Sequence, residues 1–360
     1  MMLPEIETWL REEDEGRLER LWTHADQVRR QNVGDEVHLR GLVEISNHCS
    51  RQCAYCGIRA GRTGLARYRL TAEEVMDCAR LAVSLGLGTV VLQAGEDPGL
   101  TRAWVAGLVR RIKAETPLAV TLSLGERDDA ELATWRQAGA DRYLLRFETS
   151  NRELFDRIHP PRPGGVRDRV SMLRVLRRLG YETGSGVMVG IPGQTCRDLA
   201  RDVELFGELG LDMIGIGPYL PHPETPLGEA GFPGPGDVTD QVSNTTLMTT
   251  KMVALARLAC PAANIPSTTA LATIDRGQGR ELGLRRGANV IMPDLTPPAY
   301  RELYEIYPGK IPAIADRVAA TQSVKDMVAA LGRTVGRGPG GAPRREDRPS
   351  RPKECQPCLK

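Results

Sequence analysis

No run in this 360-residue chain approaches the roughly 18 consecutive apolar residues of a membrane-spanning helix. Its first residues, MMLPEIETWLREEDEGRLER, are acidic and amphipathic rather than basic and then apolar, so no secretory leader and no membrane association are expected. Aromatic residues make up only 4%, and 48 Lys and Arg stand against 46 Asp and Glu. A dedicated nucleic-acid binder needs a basic face and stacking platforms, so no nucleic-acid partner is expected. No GxGxxG opens a helix after the first strand-like run, which removes the usual dinucleotide fingerprint. The one charge imbalance is terminal. From Arg333 to Lys360 eight basic residues face three acidic ones, a net of +5, which leaves about −3 for the rest given the formal charge of +2. That segment is Gly-, Pro- and Arg-rich with almost nothing apolar, and it reads as a disordered basic C-terminal tail over 333–360.

Cysteine is present but not spread as a disulfide framework. Of eight, Cys49, Cys53 and Cys56 fall within eight residues, Cys355 and Cys358 close the chain, and Cys78, Cys196 and Cys260 stand alone. A 39.4 kDa chain that is 41% hydrophobic needs no staples. Tight clusters without a leader read as metal ligation in a reducing compartment, hence a cytoplasmic location.

Leu10, Leu18, Leu21 and Trp22 space an apolar stripe through residues 1–36, a helical N-terminal extension. After it, short β-rich runs alternate with helices that often stop at Gly. The runs are His38–Ile45, Gly88–Gln93, Leu118–Leu124, Arg142–Glu148, Gly184–Gly190 and Met213–Gly217, with weaker candidates at Asn264–Thr269 and Ala288–Met292. Thr71 with Glu74 three residues later forms a capping-box signature for the helix after the first run. Helices between short strands force parallel crossovers, and eight such units predict an α/β fold, a (β/α)8 TIM-type barrel over 37–332.

After the first run comes Cys49-Ser-Arg-Gln-Cys53-Ala-Tyr-Cys56-Gly57. Three thiolates at this spacing suit iron–sulfur or zinc chemistry. A structural zinc would need a fourth ligand, and His48 adjoins Cys49 too closely to supply one comfortably. Three ligands on a four-iron cluster leave one iron open. Along the fourth run, period-2 alternation puts Arg142, Leu144, Arg146 and Glu148 on one face, inside a barrel. Two interior arginines need anionic partners, either an internal ion-pair network with Glu148 and Asp141 or a small anionic substrate. Thr121, Ser123, Thr268 and Thr269 would add polar groups to the same lumen, and Tyr300 joins this candidate substrate set.

The cysteine spacing, with Tyr55 before the third Cys, resembles the signature of the radical S-adenosylmethionine (SAM) superfamily. Further phrases narrow the resemblance to the HydE-type FeFe-hydrogenase maturases: RYRLT (67–71), VLQAGEDP (91–98), TLSLGE (121–126), GADRYLLRFET (139–149), GYETGSGVMVGIPGQT (180–195), IGIGPYLPHPETPL (214–227) and GANVIMPDLTP (287–297). The resemblance implies one 4Fe–4S cluster on Cys49, Cys53 and Cys56 whose open iron chelates SAM, and reductive cleavage to a 5′-deoxyadenosyl radical. It implies that Gly95, Glu96 and Asp97 receive the SAM amino group near Gln93, that Glu148 and Arg169 hold its ribose and amino-acid ends, and that Tyr55 and Met188 pack against it. The implied substrate is an anionic, organometallic iron–carbonyl–cyanide–cysteine species. The implied partners are the maturases HydG and HydF and a flavodoxin- or ferredoxin-type reductant. Related activities on the same barrel, of biotin-synthase or methylornithine-synthase type, remain alternatives, as does a non-catalytic electron carrier. The stretch Lys310–Met327 lacks the three further cysteines of some family members, so no second cluster is expected there.

Overall fold

A computed structural model describes residues 1–161, 168–229, 240–310 and 316–343. Strands β1 (Glu36–Ser46), β2 (Thr89–Ala94), β3 (Ala119–Ser123), β4 (Arg142–Leu144), β5 (Glu182–Val189) and β6 (Met213–Pro218) pair in parallel in chain order, and β7 (Val290–Ile291) joins the free edge of β1. The connecting helices start where local chemistry says they should. Thr71 with Glu74, Asp128 with Glu131 and Thr195 with Asp198 each form a complete capping box.

The expected strand over 264–269 is reduced to single bridges, Asn264 to Met213 of β6 and Pro266 to Val290 of β7. Pro266 has no N–H to extend a ladder. Ile214 N still donates to Asn264 O (3.0 Å) and Ser267 N to Val290 O (2.9 Å), so this segment closes the ring between β6 and β7. The result is the TIM-type (β/α) architecture that the alternation of elements implies. Val43, Ile45, Val90, Leu92, Val120, Leu122, Tyr143, Leu145 and Phe147 face the helices in one large apolar core. The alternate positions therefore face the lumen. The N-terminal helices Leu3–Arg11 and Glu15–Val33 pack on the helices Cys196–Leu209 and Thr246–Ala259. Buried Lys251 ties them down by donating from Nζ to Leu10 O at 2.9 Å.

Two expectations need correction at the amino-terminal end of the barrel. The first concerns the tail. Its opening residues form β8 (Thr334–Val335), which pairs with Glu36 and Val37, and the chain then crosses the barrel floor. Pro339 O accepts from Arg142 Nη2 (2.9 Å) and Thr89 Oγ1 (2.8 Å), while Gly340 O accepts from Arg40 Nη2 (2.9 Å) and Asn264 Nδ2 (3.1 Å). Backbone carbonyls, not side chains, anchor this segment, and composition does not register them. Residues 344–360, with Cys355 and Cys358, lie outside the described part.

The second correction is Arg142. It points inward, but at the floor, where it donates from Nε to Glu182 Oε2 (2.8 Å) and from Nη1 to Thr89 Oγ1 (3.0 Å). Its partners are structural, so it leaves the substrate set. The ion pair is with Glu182 rather than Glu148 or Asp141. Arg142→Met would strand this arrangement, and we expect a stability loss of about 3–5 kcal/mol in denaturant titration, with catalytic turnover of the folded fraction retained. A normal melt with lost turnover would contradict the floor assignment.

Candidate active site at the carboxyl end of the barrel

The loop leaving β1 carries the three cysteines, and its shape is held mainly by one side chain. Arg67 donates from Nη1 to Asn47 O (2.5 Å) and Ile58 O (2.7 Å), and from Nη2 to Arg59 O (2.7 Å) and Arg62 O (3.2 Å). Asn47 closes the base, donating from Nδ2 to Ala66 O and Leu303 O at 2.8 Å and accepting from Tyr68 N on Oδ1 at 2.8 Å. Ser50 N donates to Glu96 O (3.0 Å), Ala54 N to Ile158 O (2.7 Å) and Gly57 N to Ile306 O (3.0 Å). Gly95 is where β2 meets this loop. A Cβ there would overlap the His48 carbonyl oxygen and press on Cys49 Cβ, so the glycine permits a close approach of backbone to backbone.

Cys53 is buried, Cys49 and Cys56 are half-buried, and all three are free thiols. Burial first, then the Cys56 thiolate beside it, pushes Cys53 well above the ordinary thiol range. Burial and then Cys49 push Cys56 up to about 12. Three thiols that resist ionisation in each other's company are a set that a soft cationic centre satisfies. Among the described residues, the donors close enough to share a single ion are Glu96, Glu126 and His159, not the three thiols. The sulfur arrangement thus fits a larger group better than one zinc. The Glu96–Glu126–His159 grouping is already met by cations: Arg169 Nε lies 2.9 Å from Glu126, its Nη2 3.5 Å from Glu96, and Arg51 lies 3.8 Å from Glu96 and 3.6 Å from Glu126.

Several expected cofactor residues come together around this loop. Tyr55 packs in one apolar cluster with Met188, Ala54 and Ile158. Arg169 opens the helix Arg169–Arg178 behind the N-cap Asp168 and donates from Nη1 to Arg146 O (2.6 Å). Glu148 is the one non-glycine residue with positive φ (63°) among the described residues, a strained conformation of the kind that concentrates at functional sites. Its buried carboxylate lies 3.1 Å from Arg146 Nη2. Gln93 sits at the strand end with Nε2 3.4 Å from Tyr304 Oη. Asp97 does not join them. Its carboxylate is fully buried and taken by Arg69 (2.6 and 2.8 Å), Ser46 Oγ (2.6 Å) and Gly99 N (2.8 Å), so it braces the β2 turn.

In the lumen, Arg146 is half-buried, with Nη2 donating to Val187 O (2.6 Å) and Nε left without a partner. Thr121 is buried with an unpartnered Oγ1, and Ser123 follows half-buried on the same face. Thr268 caps the helix Thr269–Ile274, accepting from Leu271 N and donating to Ile216 O (3.1 Å). Tyr300 lies elsewhere. Its ring packs at a tilt of 30° against Tyr68 with centroids 4.8 Å apart, and its hydroxyl donates to Glu74 (2.8 Å) on the helix Ala72–Ser84, so it is removed from the substrate set.

The residue that strand parity could have found is Glu44. It lies on the inward face of β1 with Arg40 and Leu42, five residues before Cys49, and is 1% exposed. Its Oε1 contacts Lys310 Nζ, which is also 3.6 Å from Asp294 and lies over the Tyr304 ring. Burial raises the Glu44 carboxyl to about 8, with Lys310 opposing that rise.

Residues 43–218 match the model of the radical SAM superfamily. The chain is 48% identical to the [FeFe] hydrogenase maturase subunit HydE of Thermotoga maritima, over 92% of this chain and 91% of that one. It is 30% identical to the 3-methylornithine synthase of Methanosarcina barkeri, over 83% of this chain and 81% of that one. The crystal structure of methylornithine synthase (PylB) superposes with a TM-score of 0.80 at 26% identity, covering 93% of this chain and 94% of that one. The maturase HydG from Carboxydothermus hydrogenoformans shares the fold at a TM-score of 0.74 and 17% identity, covering 92% of this chain and 75% of that one. With its cysteine loop at the carboxyl end of β1 and this identity along nearly its whole length, the chain belongs to the radical SAM superfamily and, within it, to the HydE hydrogenase-maturase family.

Proposed function

We propose that this chain binds a 4Fe–4S cluster through Cys49, Cys53 and Cys56 and reductively cleaves SAM, acting as a HydE-type maturase in assembly of the two-iron subsite of FeFe-hydrogenase. The observation that carries the reading is the single loop, anchored on β1 and clamped by Arg67, that presents three buried or half-buried thiols beside Gly95 and Glu96. When bound, the cluster and SAM supply a 5′-deoxyadenosyl radical. The chain's own groups bind and orient. Glu96 suits an ammonium, Arg169 a carboxylate, and Glu148 the ribose hydroxyls. Tyr55 and Met188 exclude water from the same face.

Arg146, Thr121 and Ser123, with Thr268 and Thr269 near the mouth, are assigned to a small anionic substrate, an iron–carbonyl–cyanide–cysteine species. It would be delivered by HydG and the product passed on to HydF, with a flavodoxin- or ferredoxin-type reductant and a cytoplasmic setting. Identity favours this over a methylornithine-synthase activity, at 48% against 30%.

Anaerobic reconstitution with iron and sulfide should load about four irons per chain. Alanine at any one of Cys49, Cys53 or Cys56 should abolish formation of 5′-deoxyadenosine and methionine, measured chromatographically. Stoichiometric zinc, or undiminished cleavage in these variants, would contradict the assignment. Gly95→Ala should lower iron loading several-fold with little change in the circular dichroism spectrum, because the added methyl group displaces the cysteine loop rather than the barrel.

A further inference from the structure

We infer that His222 is a positioning residue for the cluster: it wedges the segment after β6 against the residue that follows Cys56, and so fixes where that corner of the three-thiolate set stands. This rests on the radical SAM reading above and adds to it a residue far from the cysteines in sequence.

His222 is 1% exposed, although it lies in neither a strand nor a helix. It belongs to Pro221-His222-Pro223-Glu224-Thr225-Pro226, where three prolines restrict the backbone. Thr225 closes the turn, donating to His222 O from N (3.1 Å) and from Oγ1 (2.8 Å). The neighbours also decide where the ring hydrogen is. Glu224 N donates to Nδ1 at 3.1 Å, so Nδ1 offers its lone pair and the neutral ring carries its hydrogen on Nε2. Nε2 in turn faces the accepting carboxylate oxygen Oε2 of Glu305 at 3.4 Å.

The same edge of the ring meets Gly57, next to Cys56. A Cβ at Gly57 would lie 2.6 Å from His222 Cδ2 and 2.7 Å from Nε2, and would overlap Glu305 O. Ring and backbone are therefore in direct contact, which a larger residue would prevent. Two further bonds hold Gly57. Its N–H donates to Ile306 O (3.0 Å), and its O accepts from Arg62 Nη1 (3.2 Å). Arg62 also pairs with Glu224 and lies 3.6 Å from Glu305. A second tie runs from the same segment to the middle cysteine. Leu227 N donates to Ala54 O (2.8 Å), and Leu227 packs in one cluster with Ala54 and Tyr55. The segment after β6 is thus fastened to the cysteine loop just beyond both Cys53 and Cys56. Arg67 shapes that loop from within, whereas His222 and Glu305 fix its last corner from two other parts of the chain.

The test uses the full chain, reconstituted anaerobically, and follows the rate at which bathophenanthroline disulfonate removes its iron. The melting temperature of the same chain without cluster is measured beside it. His222→Asn keeps an acceptor for Glu224 N but loses the ring and its Nε2 hydrogen. It should release iron about threefold to tenfold faster than wild type, the effect of one hydrogen bond, with little change in melting. Glu305→Ala should do the same, and the double variant should be no faster than either single one, because both cut one tie. If His222→Asn does not fold, Glu305→Ala, at a side chain 38% exposed, carries the comparison with wild type. Arg142→Met, a change at the barrel floor, should melt earlier yet release iron at the wild-type rate. Wild-type release from His222→Asn, rates that multiply in the double variant, or release from Arg142→Met as fast as from His222→Asn would each overturn the inference and leave the radical SAM reading standing. Wild-type protein that loads no cluster and cleaves no SAM overturns both.

Discussion

The guanidinium of Arg67 makes four hydrogen bonds to backbone carbonyls on both sides of the cysteine motif, and the geometry of the site follows from them. A loop of this length has no reason to keep three sulfurs on one side of itself. Ordering it costs roughly 1–2 kcal/mol of backbone entropy per residue. Arginine suits the task because its donors are fixed in a planar fork and its charge cannot be shed, whereas a lysine offers one rotating point. Between Ile45 and Ala72 the chain has five arginines and no acidic residue. The positive charge of Arg67 therefore faces Cys49 and Cys56, which would offset the negative charge that three thiolates and a reduced cluster bring.

The barrel divides its charged interior into two ends. At the floor, Arg142 is held by Glu182 and Pro339 O, and Arg40 by Gly340 O, so the segment after β8 lies across the amino-terminal end. At the carboxyl end, Glu44, Arg146, Glu148 and Lys310 lie near the cysteine loop, and several of their atoms are not satisfied by the protein alone. Chemistry at the carboxyl ends of the strands and stability at the opposite face is the usual partition of a TIM-type barrel. The two ends also explain why one alternating segment, β4 and the residues after it, can carry a structural arginine at 142 and a lumen arginine at 146.

Local features were legible because their causes are local. The Thr71–Glu74 capping box, the order of strands and the cysteine spacing need only a few neighbouring residues to be read. Parity along the fourth run placed Tyr143, Leu145 and Phe147 outward, as observed. What parity does not give is depth along the barrel axis, which puts Arg142 at the floor with Glu182 and Thr89 rather than in the substrate lumen. The resemblance groups Asp97 with Gly95 and Glu96, but it does not show that Arg69, 28 positions earlier, takes up the Asp97 carboxylate. Tyr300 is set by a contact 226 positions away, and residues 334–342 by contacts far outside any local window of sequence, such as Pro339 with Arg142 197 positions away. Glu44 could have been found by applying the alternation of the fourth run to the first.

The central claim is that the clamped loop offers three thiolates and leaves one iron for SAM. Electron paramagnetic resonance of the reduced, reconstituted protein tests it most directly, recorded before and after SAM is added. The three-thiolate site predicts a single reduced-cluster signal whose g values shift when SAM coordinates the open iron. A spectrum that does not change on adding SAM, from protein with a full iron complement, would mean that the cluster has no open iron and would contradict the claim.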